Sequence, residues 1–157
     1  MSHFYLDASV VVKRYSPESG SVWVKALTDP TAGHTLVLGE ITIAEVAAAL
    51  AAKHRTLGGI TQQERDDAVA LFLSHCDTQY ELIAISRSII DRAVSLTQSH
   101  KLRGYDAVQL ATALISNGVL TATGLSHLTF VAADDDLVAA AGAEGLAAEN
   151  PNLHILS

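Results

Sequence analysis

Two rhythms of apolar positions alternate along this chain. Short runs with strand character are each followed by a stretch whose apolar residues recur at helical spacing. Residues 4–7, Phe-Tyr-Leu-Asp, form an apolar run closed by an acid and predict a strand, with a helix over 8–14. Ser16-Pro17-Glu18 reads as a new helix start, with Ser16 at the N-cap and Pro17 in the first turn. Val22, Trp23, Ala26 and Leu27 supply its apolar positions. Residues 34–38 predict a strand, and 41–57 an alanine-rich helix stopped by Gly58-Gly59. Thr61-Gln62-Gln63-Glu64 fits a capping box that opens a helix through Ala68, Leu71 and Phe72.

The second half repeats the alternation. Residues 80–85 predict a strand, and Ser88 is placed to cap a helix with Ile89, Ile90, Ala93 and Leu96 on one face. A helix over 105–117 turns Val108, Ala111, Leu114 and Ile115 inward and ends at Gly118. A strand over 129–133, a short helix over 135–143 and a last strand over 153–156 complete the reading. Strands alternating with helices imply an α/β fold with three layers: a central, mostly parallel sheet flanked by helices. No repeat, low-complexity tract or linker interrupts the pattern, so residues 1–157 are expected to form a single domain.

Composition narrows the class. With 49% apolar and 17% charged residues the chain is not disordered, and with 5% aromatics its core is aliphatic. The net charge of −7 argues against a broad nucleic-acid-binding face, because non-specific affinity comes from Lys and Arg neutralising phosphates. Lys and Arg stop at Arg103, so a substrate phosphate must be held by the preceding part of the chain or through bound cations. A lone cysteine, Cys76, permits no intramolecular disulfide, and the N-terminus carries neither a basic region nor an apolar one. A cytoplasmic protein with no membrane contact is expected.

Several acids stand out. Asp7 ends the first strand, where open α/β sheets bind ligands, but Asp is also a good helix N-cap. Glu45 lies in an apolar helix, with Ile41, Thr42, Ala48 and Ala49 three and four residues away. It is either a carboxylate compensated by a cation or a member of a solvent face. Asp106 opens a helix, where the macrodipole favours acids in any case. Asp134 repeats the strand-then-acid arrangement, within the run Asp134-Asp135-Asp136. A doubly wound sheet can gather all four at one edge, where hard cations with oxygen ligands relieve their repulsion. The histidines are scattered without zinc-ligand spacing.

These segments resemble those of PIN domains. Tyr5-Leu6-Asp7-Ala8-Ser9 is similar to the family's opening strand, and the run from Ile43 to Leu50 to its second acidic motif. The run Leu102 to Ala113, containing Tyr105-Asp106-Ala107-Val108-Gln109, resembles the third. Phe130 to Asp134, with Leu137, resembles the fourth, and Gly145-Leu146 and Asn150-Pro151-Asn152 fit the ending. The likeness is greatest to VapC-type toxins of toxin–antitoxin pairs. It implies a single-strand-specific endoribonuclease using Mg²⁺, or alternatively Mn²⁺, held by Asp7, Glu45, Asp106 and Asp134, with Asp136 as an auxiliary ligand. Ser9, Lys13 and Arg103 are implied at the substrate, with Arg14, Lys53 and Arg55 as further candidates for backbone contact. Ala132 departs from the family's frequent Ser or Thr, which implies a lost hydrogen bond near the site. The implied partners are single-stranded or looped RNA, a cognate antitoxin and a second copy of the chain.

Other readings stay open. A solitary nuclease of RNA processing and a non-catalytic binding module of the same fold are alternatives. A receiver-type phosphoacceptor would need a lysine near its last strands, and none follows Lys101. A nuclease acting on DNA flaps is disfavoured by the short chain without insertions.

Overall fold

In the computed structural model of this chain, residues 2–154 are described. The elements are β1 (His3–Leu6), α1 (Ala8–Tyr15), α2 (Ser21–Thr28), β2 (Thr35–Gly39), α3 (Ile41–Arg55), α4 (Gln62–Thr78), β3 (Tyr80–Ile83), α5 (Arg87–Ser99), α6 (Gly104–Ala122), β4 (Leu128–Val131), α7 (Asp135–Ala143) and β5 (Ala147–Glu149). Single 3-10 turns occupy Pro30–Ala32 and Pro151–Leu153. The strands pair in the order β3-β2-β1-β4-β5, all parallel.

Side chains alternate across this sheet and divide the core in two. Tyr5, Val37, Leu128 and Phe130 face α5, α6 and α7, where they meet Ile89, Leu96, Leu110 and Leu137. Leu6, Leu36, Leu38 and Val131 face α1 to α4, where they meet Val10, Val24, Leu50 and Phe72. The inner strands β1, β2 and β4 are therefore covered on both faces, which is why their runs read as largely apolar, while the edge strands β3 and β5 are partly exposed.

Several boundaries differ from expectation. Ser16 does not open a helix: it closes α1, its N–H donating to Val12 O at 3.0 Å. The next helix waits until Ser21 because Gly20 takes a left-handed φ of 84°. A Cβ there would lie 2.6 Å from Pro151 O, so the turn needs glycine. Ser86, not Ser88, caps α5 by accepting from Ile89 N at 3.2 Å, and Ile90 is exposed rather than on the buried face. Gly118 does not stop α6, which runs four residues further to Ala122. Nothing lies within 4 Å of the place a Cβ would take at Gly118, so the outer face simply tolerates a weak helix former.

The expected strand over 153–156 falls partly on the 3-10 turn, and residues 155–156 lie outside the described residues. The fifth strand is instead Ala147–Glu149, paired along β4 through Thr129, Phe130 and Val131. The capping box at Thr61 and Glu64 is present with both hydrogen bonds, at 3.0 and 2.9 Å. Among the described residues no helix is long and apolar enough to cross a membrane.

Candidate active site

The sheet order places β2 and β3 on one side of β1, and β4 and β5 on the other. Connections therefore diverge between β1 and β4, and a crevice opens beyond their carboxyl ends. Asp7 follows β1 and Asp134 follows β4. The two exits are joined by Asp7 N donating to Val131 O at 3.2 Å.

Both acids cap helices as well as facing this junction. Asp7 Oδ1 accepts from Val10 N at 3.2 Å and from the Ser9 hydroxyl at 2.6 Å. Asp134 Oδ1 accepts from Leu137 N at 3.1 Å. In each case the cap uses Oδ1, and Oδ2 makes no hydrogen bond among the described residues. Capping and ligand binding are thus compatible roles for one carboxylate. Ser9 also accepts from Ala133 N at 3.0 Å, which ties the turn after β1 to the turn after β4.

Glu45 and Asp106 come from opposite layers. Gly39 ends β2 and α3 starts two residues later, so Glu45 stands near the same edge. It is half-buried, and its partner is the Gln109 side chain, whose Nε2 donates to Glu45 Oε1 at 2.5 Å. Asp106 sits in the first turn of α6, half-buried and without an ion pair among the described residues.

Electrostatics links the set. Burial pushes the Asp7 carboxyl up to about 7, against the lowering hydrogen bonds from Ser9 and Val10, and the charges of Asp106 and Glu45 push the same way as burial. Burial also raises Glu45, the Gln109 hydrogen bond opposes it, and Asp106 adds repulsion. Asp106 is raised by burial and by Asp134, with Arg103 acting in the other direction. The coupling runs from Asp7 to Glu45 and Asp106, and from Asp106 to Asp134. Among the described residues no three or more acid, histidine or cysteine side chains are gathered closely enough to hold a metal ion as they stand. What the set offers is its chemistry: carboxylate oxygens, the donors that suit a hard divalent cation.

A cleft of about 480 Å³ continues from the acids. Asp106, Asp134 and Asp136 line it together with His100, Lys101 and Arg103. Asp136 is exposed there, while Asp135 is taken up by the Asn150 amide, which donates to it at 2.9 Å. Lys101 and Arg103 are exposed and make no ion pair among the described residues. Lys101 was not singled out from the sequence. Its adjacency to Arg103 at the entry to the Asp106 helix is the signal that could have found it.

Lys13 departs from expectation. Its side chain is only 4% exposed, and its ammonium donates to Glu18 at 2.8 Å and to Ser19 O at 2.7 Å. It lies six residues along α1 from Asp7, about 9 Å at the helical rise. Lys53 is bound to the same Glu18, and Arg14 donates to the Tyr80 hydroxyl at 2.8 Å and to Gln79 at 2.6 Å. These cations hold the fold together, and Arg55 lies at the exposed far end of α3. Gln109, buried in the wall behind Glu45, is a functional residue that motif likeness alone does not reveal; its three-residue spacing from Asp106 on α6 is the signal in the sequence.

The model of the PIN domain family matches residues 4–143. Among curated proteins none matches at a significant level. Solved structures share the fold at low identity. A toxin–antitoxin complex from Klebsiella pneumoniae aligns with TM-score 0.59 and 20% identity, over 96% of this chain and 98% of that one. A VapBC complex of Rickettsia felis, bound to a DNA fragment from its promoter, gives 0.60 and 15%, over 94% and 97%. A sarcin-ricin-loop-cleaving VapC toxin of Mycobacterium tuberculosis gives 0.58 and 15%, over 91% and 95%.

Proposed function

The chain belongs to the PIN domain family, and from that premise and its acid crevice we propose that it is a divalent-cation-dependent endoribonuclease, the toxin of a toxin–antitoxin pair. The observation that carries this reading is the delivery of acids by separate elements to one sheet edge: Asp7 after β1, Glu45 in α3, Asp106 in the first turn of α6 and Asp134 after β4. On this reading residues 1–157 are one domain of that kind, and the four acids hold Mg²⁺ or Mn²⁺, with Asp136 as an auxiliary oxygen ligand.

When bound, the cation supplies positive charge for the phosphodiester transition state and lowers the pKa of the attacking water. The chain's own residues do the rest. Ser9 fixes the rotamer of Asp7 and locks the two strand exits together. Lys101 and Arg103, beside Asp106, offset the acidic field where a phosphate would enter the cleft. A narrow basic rim in a protein of net charge −7 favours an exposed loop or single strand of RNA over a long duplex, which needs a wider cationic face.

The toxin reading is supported by structural neighbours in toxin–antitoxin complexes, from Klebsiella pneumoniae and Rickettsia felis. The acid crevice suits a cationic antitoxin segment, since arginine pairs with carboxylates in two hydrogen bonds and keeps its charge when desolvated. The complex would contain a toxin homodimer in the cytoplasm.

The test is cleavage of structured and unstructured RNA with Mg²⁺, with Mn²⁺ and with EDTA. Wild type should cleave with either cation and fail in EDTA. Asp7→Asn, Glu45→Gln, Asp106→Asn and Asp134→Asn should each lose about 100-fold or more, the scale of deleting a transition-state stabilising group. Full cleavage in EDTA would overturn the mechanism.

A further inference from the structure

Behind Glu45 lies a buried chain of hydrogen bonds whose direction is fixed from its inner end. Gly39 N, an obligatory donor, donates to the Tyr5 hydroxyl oxygen at 3.2 Å. Tyr5 in turn donates to Gln109 Oε1 at 2.5 Å. The other end of the same amide, Nε2, donates to Glu45 Oε1 at 2.5 Å and to Thr42 Oγ1 at 2.9 Å. Thr42 completes the set by donating to Gln109 Oε1 at 3.2 Å. Tyr5 and Thr42 are wholly buried and Gln109 is 2% exposed.

The amide has one workable orientation. Turned over, its carbonyl oxygen would face the Glu45 carboxylate, acceptor against acceptor at 2.5 Å, and the Tyr5 hydroxyl proton would lose its acceptor. The backbone is shaped to permit the chain. A Cβ at position 39 would stand 2.9 Å from the Tyr5 hydroxyl oxygen, so glycine is what lets that hydroxyl reach the end of β2. The sequence geometry is equally economical. Asp106 and Gln109 share a face of α6, Thr42 and Glu45 share a face of α3, and the two i,i+3 pairs meet across the sheet edge.

We propose that Gln109 is a positioning residue: from an amide locked by Tyr5 and Thr42 it holds the Glu45 carboxylate in the rotamer that ligates a divalent cation. This rests on the reading that Glu45 is a cation ligand. It adds that the carboxylate's aim is set by a side chain with no contact to substrate, and ultimately by a tyrosine on the central strand. Hydrogen bonds that orient ligating carboxylates are worth about 10- to 100-fold in metal affinity.

The experiment is a double-mutant cycle read by Mn²⁺ binding alone, through calorimetry or the free-ion electron paramagnetic resonance signal. Gln109→Met keeps the volume and removes the amide. Tyr5→Phe removes only the hydroxyl and keeps the ring stacked on Phe130, 5.6 Å between centroids. Gln109→Met should weaken Mn²⁺ binding about 10- to 100-fold in wild type and add nothing in the Glu45→Gln background. Tyr5→Phe should show a smaller loss with the same dependence on Glu45, and it carries the cycle if Gln109→Met does not fold by circular dichroism. Wild-type affinity in both variants, while Glu45→Gln is impaired, overturns the positioning role. An equal loss with and without Glu45 also overturns it, because that is general loosening. Unchanged Mn²⁺ binding in Glu45→Gln removes the ligand reading itself.

Discussion

The Ser9 hydroxyl donates to Asp7 Oδ1 at 2.6 Å while accepting from Ala133 N at 3.0 Å. One hydroxyl thus holds the acid after β1 and pins it to the turn that carries the acid after β4. Its donated proton also lowers the Asp7 carboxyl against a burial effect that pushes it up to about 7.

Ser9→Ala removes both bonds. The Ala133 N–H loses a partner in a partly buried place, which costs about 1–2 kcal/mol, or roughly 2–8 °C in melting temperature for a chain of this size. With a lowering influence gone, Asp7 should titrate higher than in wild type. Carbon-13 NMR of the Asp7 carboxyl in metal-free protein measures this directly. A carboxyl that titrates lower in Ser9→Ala contradicts the donor role.

What could be read from the sequence followed from strong local signals. The Asp7 and Asp134 positions were legible because an acid closing an apolar run stands out; Asp7 follows β1 directly, while β4 stops at Val131, two residues before its run ends at Ala133. The parallel sheet followed from alternation of period. The Ala147–Glu149 strand was not legible: three residues rich in alanine carry no strand propensity, and pairing along β4 makes the strand. The helix start assigned to Ser16-Pro17 failed because Gly20, packed under Pro151, takes the left-handed turn that local capping rules do not anticipate. Gln109 was hidden for a related reason. Its importance lies in three partners from β1 and α3, far apart in sequence and brought together only by the fold.

Lys13 and Arg103 separate cleanly in experiment. Lys13→Met leaves Glu18 with Lys53 but removes a buried ammonium bound to Glu18 and Ser19 O. It should lower the melting temperature and leave RNA affinity of the folded protein near wild type. Arg103→Ala should do the reverse: little change in melting, weaker RNA binding, and a shallower salt dependence by about 0.7 in the logarithmic slope for a single strand. Lys101→Ala should match it. Filter binding across a salt series, with melting curves in parallel, makes the comparison. If Lys13→Met flattens the salt slope and Arg103→Ala does not, the cleft has been assigned to the wrong cations.

Asp7 also makes stability depend on pH with a definite sign. In the unfolded chain its carboxyl ionises near its ordinary 3.8, whereas the fold keeps it protonated up to about 7. Between those values the folded state binds the extra proton, so stability falls as pH rises through the window and levels off above it. At about 1.4 kcal/mol per pKa unit the full effect is on the order of 4 kcal/mol. Glu45 and Asp106, also raised, act in the same direction. Glu18 acts in the opposite one: burial raises it, but the hydrogen bonds and charges of Lys13 and Lys53 prevail and lower it, so its contribution is lost only as pH falls below the ordinary carboxylate range. Metal-free protein should therefore melt at a higher temperature near pH 5 than near pH 8, by about 2–4 °C for each kcal/mol. Asp7→Asn keeps a residue that caps α1 well and removes the titration. Its melting temperature should exceed that of wild type above about pH 7, and the two should converge towards pH 4. Melting curves across that range in the presence of a chelator test both statements. A variant that is less stable at every pH would mean that the carboxylate serves α1 as a cap more than it strains the fold as a buried charge.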